Sequence, residues 1–282
     1  MTMHETIEFR IPERHAARFL EPELGVRLDE STRKVVLPVR DKRVQEIGRI
    51  DRSFTQKGTS FFLGWHIHRR YTEDELRSAE VLNLVIRAYF EPPGSMCGTE
   101  YDDAAACRFC GAGAPRKTEL ILNTKRIPKN KDLAQTLAGE VVVSSRFVAA
   151  FKAHGLSGAQ FRPVLHAGRN GPQPSEWYQP LFTSKPVTLD AKTVTGDTPF
   201  NLDERDEHRC PKGHLAGLNQ ISELYLQRAS HDGSDLCITD KGFGVRRGEL
   251  RPEPRLLISP RLRDMLEGMD AKGYALEVAH FV

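Results

Sequence analysis

Two short turns hold the residues of this chain whose types and spacing are best suited to chemistry. The first knuckle, residues 107–111, has the pattern C-x-x-C-G, in which the two-residue spacer lets both thiolates face one tetrahedral ion. The second knuckle, residues 210–214, opens with a cysteine and ends with a histidine. Thiolate and imidazole are the ligands of structural zinc sites. The sequence therefore predicts a Cys3His site for Zn2+ formed by Cys107, Cys110, Cys210 and His214.

Four protein ligands would close the coordination shell, so we expect the ion to stabilise a fold rather than to catalyse a reaction. Other arrangements stay open at this point. The cysteines could be unconnected loop residues, or the C-x-x-C pair could be redox-active. Cys97 could take the place of one ligand, and His208 could replace His214. Cys237 lies in an apolar run and is expected to be a small buried residue.

A second group of candidate residues lies on a predicted strand at residues 60–68. His66 and His68 fall on the same face of this strand, because side chains alternate along a strand, and Arg69 and Arg70 follow them. Histidines could bind a metal or move a proton, and arginines could hold a phosphate. No acidic motif nearby in the sequence completes such a site. We therefore predict no catalytic residues and regard the two histidines as candidate partner contacts.

Similar segments follow the two knuckles and indicate an internal repeat at about residues 105–165 and 210–280. Each copy contains a short strand, a run of aliphatic residues, and a serine that opens a helix, Ser144 in the first copy and Ser259 in the second. The two knuckles would then bring together related halves, each with a knuckle, strands and a helix. The alternative is that the halves resemble each other only because capped helices are common.

The remaining segments complete the predicted architecture, which is of the α+β class. Residues 1–95 form an N-terminal segment with strands at 34–39 and 60–68 and a helix that starts at Thr72 and continues towards Tyr89. Residues 96–282 form a zinc-ribbon-containing lobe of two knuckle-strand-helix-strand halves. Between the halves, residues 166–208 are predicted as an insertion that carries Trp177 and Tyr178, two aromatic candidates for partner contact.

Composition narrows the class of protein. With 39% hydrophobic residues among 282, the chain can bury a core, and the net charge of +3 is too small for a general polyanion binder. No apolar run approaches the roughly 20 residues that a membrane-spanning helix needs, and no export signal is visible, so we expect a cytoplasmic protein with no membrane partner. Basic pairs such as Arg69-Arg70, Lys125-Arg126 and Arg246-Arg247 support one alternative, a zinc-ribbon nucleic-acid-binding or regulatory protein.

The first knuckle and the residues after it resemble a known family. The knuckle is followed by Ile127-Pro128 and Asp132, a β-run into Ser-x-Arg-Phe, and a Gly-Leu-x-Gly segment at 155–158 with Phe161. This order is similar to that of the bacterial double-CXXCG-motif proteins, over about residues 105–165 with an echo at 210–280. The second knuckle departs from the family pattern, since Gly213-His214 stands where the family has Cys-Gly. The resemblance implies a non-enzymatic immunity protein that neutralises a cognate protein toxin.

Overall fold

A computed structural model describes residues 4–204, 209–215, 218–244, 250 and 252–282. About 21% of the described residues are helical and 39% are in strands, which confirms the mixed α+β class. The chain forms two compact units, unit 1 (Met1–Thr72) and unit 2 (Glu73–Val282). The boundary therefore lies at Thr72 rather than near residue 95, where the sequence suggested it.

Unit 1 is one antiparallel sheet with two helices. Its elements are β1 (His4–Pro12), α1 (Glu13–Phe19), β2 (Val26–Arg27), β3 (Thr32–Pro38), α2 (Lys42–Thr55) and β4 (Gly64–Arg70). The strand order is β2-β3-β1-β4, and every neighbouring pair is antiparallel. This βαββαβ connectivity is the ferredoxin-like, or split βαβ, arrangement. The predicted strands are confirmed as β3 and β4, although β4 begins only at Gly64.

The alternation of side chains along β1 explains how unit 1 forms its core. Ile7, Phe9 and Ile11 are buried, whereas Glu8 and Arg10 between them lie on the opposite, more polar face. A strand with this period of two buries one face of the sheet and leaves the other towards solvent. We call this polar side the open face of unit 1.

Among its described residues, unit 2 contains three sheets. Its first elements are α3 (Glu73–Ser78), β5 (Val81–Ile86), β6 (Tyr89–Phe90), α4 (Gly94–Cys97), β7 (Ile121–Leu122), β8 (Leu133–Thr136), β9 (Val141–Ser144), α5 (Ser145–Ala153) and β10 (Ala159–Gly168). The later ones are β11 (Gly171–Phe182), β12 (Thr195–Thr198), β13 (Asn201–Leu202), β14 (Asn219–Gln220), β15 (Leu224–Leu226), β16 (Leu236–Phe243), β17 (Glu253–Ile258), α6 (Pro260–Gly268) and β18 (Tyr274–Phe281). Short 3₁₀ helices lie at Thr124–Arg126 and Arg228–Ser230.

The strand orders of the two larger sheets correspond to each other. One is β6-β8-β9-β11-β10-β7 and the other, written in the reverse direction, is β16-β17-β5-β18-β15; the small third sheet is β13-β12-β14. In the first sheet β7 pairs in parallel with β10, and in the second β15 pairs in parallel with β18. All the pairs among the long inner strands are antiparallel.

Both helices of the predicted repeat are confirmed, together with their capping residues. The hydroxyl of Ser144 accepts a hydrogen bond from Phe147 N at 3.1 Å, and that of Ser259 accepts one from Leu262 N at 3.2 Å. These bonds satisfy amide groups that a helix start otherwise leaves free. The buried faces of α5 and α6 contribute to a single apolar cluster that also contains residues of both larger sheets. The two helices and the two larger sheets of unit 2 therefore share this cluster.

The predicted helix from Thr72 to Tyr89 is wrong beyond its first turns. Helix α3 ends at Ser78, and residues 81–86 form the strand β5, which lies at the centre of the five-stranded sheet. The sequence spacing suggested a helical stripe, but this segment is nearly continuously buried and rich in aliphatic residues, which is typical of a strand covered on both faces. Polar Asn83, which interrupts the stripe, donates from Nδ2 to Glu277 on β18 at 3.1 Å.

The segment at 166–208 also differs from the expected insertion. Its first part, β11, pairs with β10 on one side and with β9 on the other, so it is a central strand of the six-stranded sheet. Its later part contributes β12 and β13 to the small sheet. The high content of Pro, Gly and polar residues reflects a long β10–β11 hairpin, and β11 itself belongs to the core architecture.

Candidate metal centre

The structure brings both knuckles together. One ligand atom from each of Cys107, Cys110, Cys210 and His214 lies within 4.8 Å of those of the other three. His214 Nδ1 is 3.3 Å from the sulfur of Cys110 and 3.4 Å from that of Cys210. All four side chains are partly buried. Residues that are about a hundred positions apart in the chain thus converge on one point, and together they could hold a metal ion.

Backbone hydrogen bonds shape each knuckle. In the first, Gly111 N donates to Cys107 O at 2.7 Å, and in the second, Gly213 N donates to Cys210 O at the same distance. Both glycines have positive φ, 71° and 76°, a conformation that other residues adopt at a cost. Lys212 N lies 3.4 Å from the Cys210 sulfur, a contact of the kind that stabilises thiolate ligands.

The protonation of the sulfurs follows from these contacts. Backbone N–H groups of Phe109 and Cys110 donate to the Cys107 sulfur and lower its pKa to about 6, so this residue is a thiolate at neutral pH. Burial, together with the neighbouring sulfurs of Cys107 and Cys210, raises the pKa of Cys110 to about 11. Three sulfurs crowded in this way repel one another once ionised, and a bound cation would remove that penalty.

The other cysteines lie elsewhere. All five cysteines are free thiols. Cys97, at the end of α4, is not a member of the converging group, and burial raises the pKa of its thiol. Cys237 is 1% exposed, which confirms it as a buried residue. His208 and the Arg246-Arg247 pair lie outside the described residues.

The predicted histidine pair on β4 has an acidic neighbour that the local sequence did not reveal. The rings of His66 and His68 lie side by side on the open face, with centroids 4.5 Å apart. His68 Nε2 is 3.2 Å from Glu8 Oε2 on the adjacent strand β1. Burial raises the pKa of Glu8, but hydrogen bonds from His68 and Arg10 outweigh it and lower the pKa below its ordinary value.

The predicted aromatic contacts of the middle segment lie on β11. Trp177 packs against a buried apolar cluster of the six-stranded sheet, and Tyr178 packs against the core that α5 and α6 share. Both residues are half-buried, so each has a packing role in unit 2. Their role as partner contacts stays a prediction.

Two buried carboxylates were not recognised from the sequence as a pair. Asp132 accepts hydrogen bonds from Ser144 Oγ at 2.9 Å, from Arg146 Nη2 at 2.6 Å and from Lys272 N at 3.0 Å. Asp235 has the matching set of partners in the second sheet: Ser259 Oγ at 2.7 Å, Arg261 Nη1 at 3.0 Å and Ser157 N at 2.9 Å. The signal for this pair was the 103-residue offset between the two aspartates, the same as the offset between Cys107 and Cys210.

The comparisons with known proteins add no family. No protein-family model matches the chain, and no curated protein matches it. Among the described residues, no helix combines the length and the apolar character needed to cross a membrane. The four converging ligands are therefore the feature on which a functional assignment can be built.

Proposed function

We propose that the protein is a non-enzymatic binding protein, an immunity factor that neutralises a cognate bacterial toxin, and that a structural Zn2+ ion holds its unit 2 together. The observation that carries the metal part is the convergence of Cys107, Cys110, Cys210 and His214. Three thiolates and one imidazole suit zinc, because soft sulfur ligands in a four-ligand set favour it over the harder cations. With four protein ligands, no position remains for a reacting water.

We also propose that unit 2 consists of two related halves, as the repeat suggested. Pairing registers support this: Leu133 lies opposite Val143 as Leu236 lies opposite Ile258. The buried aspartates, the capped helices and the short parallel strands correspond in the same way. Corresponding residues of the two halves are 103 positions apart in β8 and β16 and 115 positions apart in β9 and β17. The difference arises because the connection between β16 and β17 is longer than that between β8 and β9.

The central strands connect these halves. Strand β5 precedes the first knuckle in the chain, but it lies between β17 and β18 in the sheet of the second half. Strand β11 precedes the second knuckle, but it lies between β9 and β10 in the sheet of the first half. The proposed zinc ion would thus be a second connection, since each half supplies two of the four ligands.

The zinc proposal is tested by metal analysis of the full chain purified under reducing conditions without a histidine tag. We expect the substitutions Cys110→Ser and Cys210→Ser each to remove one zinc equivalent and to lower the thermal stability of unit 2. Cys97→Ser is the matched control and should change neither. Full zinc content in the Cys110→Ser and Cys210→Ser variants would contradict this metal centre.

The immunity part of the proposal rests on the resemblance of residues 105–165. The open face of unit 1 supports it as a binding surface, because His66 and His68 stand there beside Glu8, next to the half-exposed Val36. A mixed surface of this kind fits a protein partner, in which apolar contact and charge pairing contribute together.

The immunity proposal is tested by co-expression with toxins encoded by neighbouring genes. We expect one of them to be neutralised and to co-purify with this protein. The double variant His66→Ala/His68→Ala should lose neutralisation while keeping its zinc content. His154→Ala, which changes an exposed histidine on unit 2, is the control and should neutralise normally. Failure to rescue growth, together with no complex with any of these toxins, would refute the proposal.

Contacts of the basic residues weigh against the alternative of nucleic-acid binding. Arg69 is largely buried and its Nε bonds to Glu5 at 2.8 Å, so it is not available to a phosphate. On the described part of the open face, the central strands β1 and β3 present Thr6, Glu8, Arg10, Lys34 and Val36. They thus lack the aromatic rings on which ferredoxin-like RNA-binding sheets stack bases.

A further inference from the structure

A second group of metal-ligand residues lies in unit 2, separate from the four ligands of the knuckles. Ligand atoms of His231, Asp232 and Cys237 lie within 4.8 Å of one another. His231 and Asp232 follow the 3₁₀ helix Arg228–Ser230, and Cys237 is on β16. A nitrogen, a carboxylate oxygen and a sulfur from a seven-residue segment therefore converge on one place.

Surrounding contacts hold these three side chains in position. His231 Nε2 is 3.2 Å from the carbonyl oxygen of Ser234, and the ring packs 5.1 Å from that of Phe281. A carbonyl contact at one ring nitrogen leaves the lone pair on the other, as in most metal-binding histidines. Asp232 is fixed by hydrogen bonds from Lys185 N at 2.9 Å and Ser234 N at 3.0 Å.

A buried hydroxyl beside the group is an independent sign of a ligand. Ser184 is 8% exposed and adjoins the Cys237 thiol, a weak hydrogen-bond partner, and its Oγ has no oxygen or nitrogen partner within the part of the chain that the structure describes. A buried hydroxyl that is paired only with a thiol carries a free-energy cost, which a bound ion and its water would relieve.

The first sheet of unit 2 provides an internal comparison. Ala88 corresponds to Ser184, because the backbone N of Ala88 donates to Gly273 O and that of Ser184 donates to Gly158 O. Ala134 corresponds to Cys237, because Ala134 pairs with Val142 and Cys237 pairs with Leu257. Ile127 directly follows the 3₁₀ helix Thr124–Arg126, and His231 directly follows the 3₁₀ helix Arg228–Ser230.

At these positions the first sheet has only apolar residues. Ala88, Ile127 and Ala134 belong to a single buried apolar cluster. The fold therefore does not require polar groups here, since the corresponding place in the same unit packs without any. The appearance of serine, histidine and cysteine together at three corresponding positions points to a ligand rather than to packing.

We propose that His231, Asp232 and Cys237 form a second metal site that takes a divalent transition metal ion such as Zn2+ or Co2+. Mixed sulfur, nitrogen and oxygen ligands favour such ions over Mg2+ and Ca2+, which prefer oxygen alone. Three protein ligands leave one coordination position for water, in contrast to the closed set at the knuckles. Because Asp232 is exposed, this ion exchanges with solvent more readily than the ion at the knuckles.

Titration of the chelator-treated, reduced full chain with Co2+ tests this site. We expect two equivalents to bind to the parent chain and one to remain with either Cys237→Ala or His231→Ala. Alanine is the residue that the first sheet has at the position of Cys237, so this substitution suits the fold. Cys97→Ala is the control and should keep both equivalents.

The outcomes separate this site from the knuckle site. Cys110→Ser should lose one equivalent and retain the one that Cys237→Ala removes, and a double variant should bind none. If the parent chain binds a single equivalent, and neither Cys237→Ala nor His231→Ala changes it, the second site does not exist, whereas the knuckle site stands. If Cys110→Ser has no effect while Cys237→Ala removes one equivalent, the second site stands without the first.

Discussion

Asp132 and Asp235 show how single residues tie together the elements of unit 2. Each carboxylate accepts from the serine that caps the following helix and from the arginine two residues further on. Each also accepts from a distant backbone amide, Lys272 N or Ser157 N. The side chains of these aspartates are 5% and 3% exposed, so water cannot replace the lost bonds.

Substituting either aspartate with alanine should therefore be costly. We expect Asp132→Ala and Asp235→Ala each to lower the free energy of unfolding by about 2–3 kcal/mol, because several buried donors lose a charged acceptor. Arg146→Ala removes an exposed partner and should cost about 1 kcal/mol or less. Urea unfolding of the full chain measures all three. A larger loss in Arg146→Ala than in Asp132→Ala would contradict this account.

Glu13 in unit 1 predicts a dependence of stability on pH. Hydrogen bonds from Arg33 and Arg27 lower the pKa of Glu13 to about 2, from an ordinary value of 4.5. Because the folded state favours the ionised form, this contribution is fully present above about pH 4.5 and is lost as the pH falls towards 2. In a Trp177→Phe background, fluorescence of Trp65 reports on unit 1. We expect the difference in free energy of unfolding between the parent protein and the Glu13→Gln variant to decrease as the pH falls from about 4.5 towards 2. A difference that stays constant over this range would contradict the prediction.

At the scale of elements, two glycines hold equivalent junctions between helix and strand. A Cβ at Gly158 would lie 2.1 Å from Leu236 O, and one at Gly273 would lie 2.1 Å from Leu133 O. Both glycines also have a positive φ, 98° and 106°, so backbone strain adds to the clash. The close approach of these two chains thus depends on the absence of a side chain.

Alanine at either glycine should weaken unit 2. We expect Gly158→Ala and Gly273→Ala to cost about 2–3 kcal/mol or more, because backbone atoms must shift in addition to the strain of about 1 kcal/mol. Gly155→Ala is the matched control: its φ is 57° and nothing lies within 4 Å of the added Cβ, so only the strain should appear. Equal losses in thermal stability for all three variants would show that the contact has no weight.

The elements that sequence predicts best are those set by local chemistry. The caps at Ser144 and Ser259 and the apolar faces of α5 and α6 were predicted because hydroxyl capping and helical spacing act within a few residues. The strand β5 was missed because its burial on both faces depends on β17 and β18, which are far away in the chain. The four candidate metal ligands of the knuckles were predicted from the chemistry and spacing of two short motifs, whereas the second group depends on the approach of His231, Asp232 and Cys237 in space.

At the scale of the whole molecule, each unit contains one of the two tryptophans, Trp65 in unit 1 and Trp177 in unit 2. If the proposed zinc ion is bound, its removal by a chelator should lower the melting temperature reported by Trp177 by several degrees, since an ion that binds only the folded form of unit 2 stabilises that form. The transition reported by Trp65 should stay unchanged. The Trp177→Phe variant allows the unfolding of unit 1 to be followed by Trp65 fluorescence, and the Trp65→Phe variant allows that of unit 2 to be followed by Trp177 fluorescence. An equal shift in both transitions would contradict this assignment of the metal to unit 2.

The pairing of β5 with β18 has a consequence for synthesis on the ribosome. The first strand of unit 2 emerges about 190 residues before the last one, with which it must pair. At a translation rate of roughly 5–20 residues per second, β5 lacks its partner β18 for roughly 10–40 s, and its other partner β17 emerges only shortly before β18. During that interval the apolar side chains of β5 lack their final partners, a condition that favours aggregation. Rapid release of a truncated product that lacks residues 274–282 would therefore yield insoluble material rather than a shorter working protein.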